Sequence, residues 1–316
     1  MPREGINAEV VAGCHTQLNY PSDRSLLDDR TVHAMNLPEP NPIAVIHSLG
    51  GCGSTLLARC VGCLRNVLVL SECNPASAGL FDHSLNPYLQ IKRWHSQFFP
   101  AIGHSLQPED LRDDAVFLKF IAAVKELTDQ RGTHLVIRDY NYVDYCGVPF
   151  ESPATLVSSL SRCLGSALPY QAAVLVRHPL HQYNSLRSHD MLKHTLSPEI
   201  YLRGYRMFLN ELGANHVLKY EGIVADPLLS IRSLCEQLAL PFSGSFIDEF
   251  TDNRRVTGNF VRIDESMISF SNRDVSEDEW TRALVRSPEY ESLVDLLGYN
   301  SAAMPSNRVR ENSVSK

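Results

Sequence analysis

Between residues 48 and 55 the chain reads Ser-Leu-Gly-Gly-Cys-Gly-Ser-Thr. The glycines let backbone approach a ligand closely, and two hydroxyls follow at once. If a strand enters this turn and a helix leaves it, the unpaired amides of the first helical turn form an anion site. Gly50, Gly51, Cys52 and Gly53 would then line the cradle. Ser54 and Thr55 fall where hydroxyls cap the helix and donate to the same anion. Glycine also punctuates plain tight turns, so the loop alone leaves both readings open. It is not a Walker A loop, because Gly53 is followed by Ser54 where that motif has lysine. A second pair is Arg177 and Ser185, eight residues apart. A guanidinium fork and a hydroxyl two turns into a following helix could hold one phosphate, although a surface arginine beside a helix-face serine fits the same spacing. Glu72 ends an apolar run. It is either a loop carboxylate or a base between apolar strand walls, where desolvation would raise its pKa.

These residues need a scaffold, and the apolar pattern supplies one. Short β-rich runs at 43–47, 67–70, 134–138, 172–176 and 216–220 read as strands. Helical spacing covers 54–64, 114–128, 155–164, 180–191, 198–212, 227–238, 243–249 and 276–297. Buried strands separated by helices predict an α/β fold, a parallel sheet with helices on both faces. Such sheets bind ligands at the carboxyl ends of their strands, near a topological switch point. Glu72 and Arg177 both stand just past a strand, and Arg138 ends one. The insertion containing Phe81, Trp94, Phe98 and the excursion containing Tyr142 would shape a pocket or join the core. His47, His178 and His181 lie near the inferred site, and no catalytic role is assigned to them.

Composition narrows the class. The chain has 316 residues, 44% hydrophobic and 21% charged, with a net charge of −7. It carries no basic footprint for nucleic acid or an anionic membrane, so any anion must be held by local donors. Residues 1–40 read as a polar N-terminal extension, 41–300 as a single α/β domain, and 301–316 as a polar tail. Eight cysteines show no secreted-domain framework. Cys60 and Cys63 fit helix packing better than metal or redox use, and no His/Asp/Glu set has ligand spacing. The N-terminus lacks a signal-peptide pattern and no long apolar stretch occurs, so the expectation is a cytoplasmic protein in a reducing compartment.

Taken together, GCGSTLLAR and VRHPLHQYNS resemble the two phosphate motifs of the PAPS-dependent sulfotransferase family, in its bacterial-type branch. PAPS is 3′-phosphoadenosine-5′-phosphosulfate. LKYEGIVADP at 218–227 is similar to the family's recurrent YEDLVADP, and VLSECNP to its Ser-Glu-Pro run. RRVTGNF at 254–260 is similar to the glycine and basic segment that closes over the 3′-phosphate. The resemblance implies a P-loop NTPase-like three-layer fold and sulfuryl transfer from PAPS to a hydroxyl or amine, without a metal. The acceptor would be a small molecule or carbohydrate. It further implies that residues 50–55 hold the phosphosulfate, that Arg177, Ser185, Arg255 and Gly258 serve the 3′-phosphate, and that Glu72 deprotonates the acceptor. One position departs. Gly51 stands where the family carries a basic residue, and Arg138, at a strand end where many relatives place a lysine, is the candidate replacement. Two other readings stay open at this point: a PAP-binding module without turnover, and a small-molecule P-loop kinase, against which the missing Gly-Lys-Ser/Thr argues. Oligomeric state is not legible.

Overall fold

The computed structural model describes residues 41–80, 84–98, 108–165, 167–258 and 278–299. The extension at 1–40, the tail at 301–316 and Phe81 lie outside the described residues. Five strands, β1 (Ile43–Ser48), β2 (Val67–Ser71), β3 (His134–Arg138), β4 (Tyr170–Val176) and β5 (His216–Lys219), form one all-parallel sheet in the order β2-β3-β1-β4-β5. From the middle strand β1 the chain moves to the edge strand β2, returns to fill the gap with β3, and then crosses to build the other side with β4 and β5. The end of β1, between β3 and β4, is therefore the switch point of the sheet, and the glycine loop leaves from there.

All six residues of β1 are buried, as expected of a strand covered on both faces. Ala44 and Ile46 face one core with α1 (Ser54–Gly62), while Ile43 and Val45 face the other. Next along the chain come α2 (Pro87–Trp94) and α3 (Asp114–Gln130). Asp113 caps α3 by accepting from the Ala115 and Val116 amides, and Phe117, Phe120, Ile121 and Val124 form its buried stripe. Each such side chain contributes about 1.5–3 kcal/mol by burial. Then come α4 (Tyr142–Tyr145), α5 (Ser159–Leu164), α6 (Pro179–Arg187) and α7 (Asp190–Lys193). The long α8 (Pro198–Leu212) starts from Ser197, whose hydroxyl accepts from the Ile200 amide, and carries a third core of Tyr201, Tyr205 and Phe208. The chain closes with α9 (Tyr220–Ala225), α10 (Pro227–Gln237), α11 (Phe246–Glu249), α12 (Glu279–Arg286) and α13 (Pro288–Leu296). No helix among the described residues is long and apolar enough to cross a membrane.

Several boundaries differ from the sequence reading. The single helix at 276–297 is two, because Pro288 cannot continue α12 and instead opens α13, with Ser287 capping it. The helix at 155–164 begins only at Ser159, where Ser158 caps it. The fifth strand stops at Lys219, and Tyr220 opens a short helix that the sequence did not suggest. Burial keeps the Cys60 thiol protonated and pushes that of Cys63 up to about 11, which suits helix packing.

Candidate active site

The glycine loop connects Ser48 to α1, and Gly53 is the residue that caps the helix. It sits at φ 90°, in the left-handed region, and provides no side-chain cap. Ser54 and Thr55 thus lie inside the first turn rather than at the cap, which corrects the capping role expected of them. Their hydroxyls are occupied differently. Arg138 Nη1 donates to Ser54 Oγ and Thr55 Oγ1, at 3.1 Å each. The first amides of α1 lack intrahelical partners by the geometry of any helix start. Cys52 points inward, fully buried.

Arg138 is the hub of the site. It is 1% exposed, and its second nitrogen, Nη2, donates to the carbonyl and hydroxyl of Thr257 at 3.0 Å and stands 3.2 Å from Glu72 Oε2. Thr257 Oγ1 in turn donates to Glu72 Oε2 at 2.5 Å, and the Thr257 amide donates to Ser71 Oγ at 3.1 Å. Gly258, at φ 119°, lies against Thr55, where any Cβ would come within 2.3 Å of Thr55 Oγ1. The segment around 257 thereby bridges the end of β2 and the start of α1. Arg138 Nε is buried and has no hydrogen-bond partner. Glu72 itself has φ 52°, and its side chain keeps 18% exposure. Its carboxylate rests on a guanidinium and a hydroxyl, not between the apolar walls that the sequence suggested.

A second cation flanks the loop from the other side. Arg177 follows β4, donates from Nη1 to the Gly51 carbonyl at 3.1 Å, and lies 4.5 Å over the Tyr220 ring. Tyr220 also covers Gly53, leaving no room for a Cβ there. Behind Gly51 stands α6. Gln182 Nε2 donates to the Gly50 carbonyl at 2.9 Å, and a Cβ on Gly51 would meet the Gln182 carbonyl at 3.0 Å and Leu186 Cγ at 3.1 Å. Gly51 has φ 77°. A side chain at this position is therefore disfavoured by conformation and by contact, and Arg138 reaches the loop hydroxyls from β3.

The remaining expected residues are less tightly gathered. Ser185 is half-buried on α6, next to Leu186, and among the described residues no bond links it to Arg177. Arg255 is exposed, and its amide donates to Asn253 Oδ1. Its charge adds to burial in lowering His95 to about 4. Burial and the charges of His181 and Arg177 likewise lower His178 to about 4. Residues that the sequence reading missed include Thr257, Gln182 and Tyr220. It also missed a buried polar group formed by His47, Asn74, Asp139, Asn141 and Asp144. Asp139 pairs with His47 Nδ1 at 2.9 Å and not with its neighbour Arg138.

No protein-family model and no curated protein sequence matches the chain. Among solved structures, the chain is similar to the sulfotransferase domain from the Synechococcus PCC 7002 olefin synthase. The match has 17% identity and a TM-score of 0.50, and it covers 81% of this chain and 95% of that one. The sulfotransferase domain from the curacin biosynthetic pathway matches at 18% identity and a TM-score of 0.48, over 81% and 97%. At such identities the likeness to the olefin-synthase domain concerns the fold. The chain has the P-loop-like α/β architecture of a sulfotransferase domain, with a parallel sheet between two helical layers.

Proposed function

We propose that the chain is a sulfotransferase that moves a sulfuryl group from PAPS to a hydroxyl or amine. The observation that carries this reading is the placement of Arg138 and Arg177 on opposite sides of the glycine loop, at the switch point of a sulfotransferase-type sheet. A chain of net charge −7 that gathers two buried guanidiniums at one loop is built to hold an anion there. The fit to the donor is supported by the buried Nε atoms of both arginines, which lack partners. Residues 50–55 and Arg138 would hold the phosphosulfate, and Arg177 with Ser185 the 3′-phosphate.

PAPS supplies an activated sulfuryl group with a good leaving group. The acceptor oxygen bonds to sulfur as the bond to the departing PAP oxygen breaks, and the acceptor proton passes to Glu72. Arg138 and the loop amides stabilise the charge that develops. Glu72 keeps its exposed edge toward solvent, where an acceptor can reach it. Calorimetric titration with PAP (adenosine 3′,5′-bisphosphate), ADP and ATP tests the reading. PAP should bind best and without magnesium, and a preference for ATP with magnesium would refute it in favour of a kinase. A second reading, a PAP-binding module without turnover, is favoured by one feature. Both terminal nitrogens of Arg138 are already bonded within the protein. Tight PAP binding without transfer to any of a panel of phenols, sugars and amines would select it.

A further inference from the structure

Next to the loop, two carboxylates share one amide. Asn74 Nδ2 lies 2.9 Å from Asp139 Oδ1 and 2.9 Å from Asp144 Oδ2. The amide cannot be reversed, because Asn74 Oδ1 accepts from the Ala76 amide at 2.9 Å. One hydrogen therefore goes to each carboxylate. Asp139 Oδ2 also accepts from Asn141 Nδ2 at 2.7 Å and pairs with His47 Nδ1 at 2.9 Å. The Asn141 amide is fixed in the same way, since its Oδ1 accepts from the Ser48 amide at 3.0 Å, at the entry to the glycine loop. Asp139 is thus surrounded by donors, the pattern of a carboxylate anion.

Asp144 is placed differently. Its Oδ2 takes Asn74 and the Ser159 amide at 3.2 Å, while Oδ1 meets the Ser159 hydroxyl at 2.6 Å, a group that can accept as readily as donate. Asp139 and Asp144 are each 1% exposed, and two carboxylates in such a pocket cannot both ionise without a large desolvation cost. The groups facing them are His47 from β1, Cys73 after β2, Ser159 on α5, and Tyr145 on α4, whose hydroxyl donates to Glu211 of α8. Arg138 turns the other way, to the loop hydroxyls.

We propose that Asp144 is a positioning residue that works in its protonated form, donating to Ser159 so that Asn74, Asp139 and Asn141 can hold the Ser48 amide and with it the anion loop. This rests on the anion site proposed above, but the network itself needs no ligand. Burial and the Asp139 charge push the Asp144 carboxyl up to about 7, against the hydrogen bonds from Ser159 and Asn74. Above that pH a second buried negative charge stands beside Asp139, loosening the loop entry and disfavouring an anion in the loop. Anion binding then takes up a proton.

The test compares PAP titrations of the full chain and Asp144→Asn from pH 6 to 8.5. Asparagine keeps the shape of the protonated acid and can donate to Ser159. The native protein should lose affinity above pH 7 more steeply than the variant, the difference approaching the one-proton limit of about tenfold per pH unit. Equal slopes in the two folded proteins overturn the proposal. Should PAP fail to bind at any pH, the sulfotransferase reading fails, and the proton is then read directly. An infrared band of a buried protonated carboxyl at pH 6 that is lost in Asp144→Asn upholds the protonated Asp144 of the network, and its absence from the native protein refutes it.

Discussion

Installing the basic residue that the family carries at position 51 should damage this protein. Gly51 stands at φ 77°, a region that costs an L-residue about 1–2 kcal/mol. Its Cβ would also press on the Gln182 carbonyl at 3.0 Å and the Leu186 amide at 3.3 Å, both of them backbone atoms of α6 that cannot yield like a side-chain tip. Overpacking of this kind costs about 1–3 kcal/mol. Gly51→Ala should therefore lose about 2–5 kcal/mol in urea unfolding, a large part of a stability of about 5–15 kcal/mol. Gly51→Lys should lose at least as much, with no gain in sulfuryl transfer. Gly132 supplies an internal control. It has φ 60° and nothing within 4 Å of its Cβ, so Gly132→Ala should show the conformational cost alone. The excess of Gly51→Ala over Gly132→Ala then measures the crowding against α6. Equal losses at the two positions, or a Gly51→Lys variant that is stable and faster, would refute the argument that α6 excludes a side chain there.

Other expectations address the charges around the loop. Arg138→Lys keeps the charge but cannot reach the loop hydroxyls and Thr257 together, so transfer should fall about 10²–10³-fold with PAP affinity nearly unchanged; unaltered turnover would remove Arg138 from the chemistry. Arg177→Ala should weaken PAP by about 1.5–3 kcal/mol in calorimetry and ADP far less, whereas equal losses would show that it does not read the 3′-phosphate. Glu72→Gln retains an acceptor for Thr257 but no basic carboxylate, so turnover should drop about 10²–10⁴-fold while PAPS still binds, and near-native rates would place the base elsewhere.

The sheet was legible because its strands are buried on both faces and read as unbroken apolar runs; β3 ends at both positions where the sequence put it. α8 was equally plain, opened by Ser197 and Pro198 and closed before Gly213. The cations were legible as the residues that leave strands. What sequence spacing does not carry is which distant segment meets them. Thr257 reaches Ser71 across 186 residues, and the wall behind Gly51 comes from Gln182 and Leu186, so a glycine that α6 favours looked like a lost basic residue. That Arg138 does not pair with its neighbour Asp139 follows from strand geometry. Consecutive strand residues point to opposite faces, which sends Arg138 to α1 and Asp139 to His47. That alternation separates the last residue of β3 from the one that follows it. Arg138 delivers a positive charge to the hydroxyls of the glycine loop, and Asp139, just past β3, places a carboxylate in a buried network that holds the entry of the same loop. Asp139 is thus engaged by His47, Asn74 and Asn141, and through Asn141 it orders the backbone at the loop entry. On the proposed function, this is how an acidic chain would hold a polyanion at the loop: the carboxylate beside it is directed toward donors of its own.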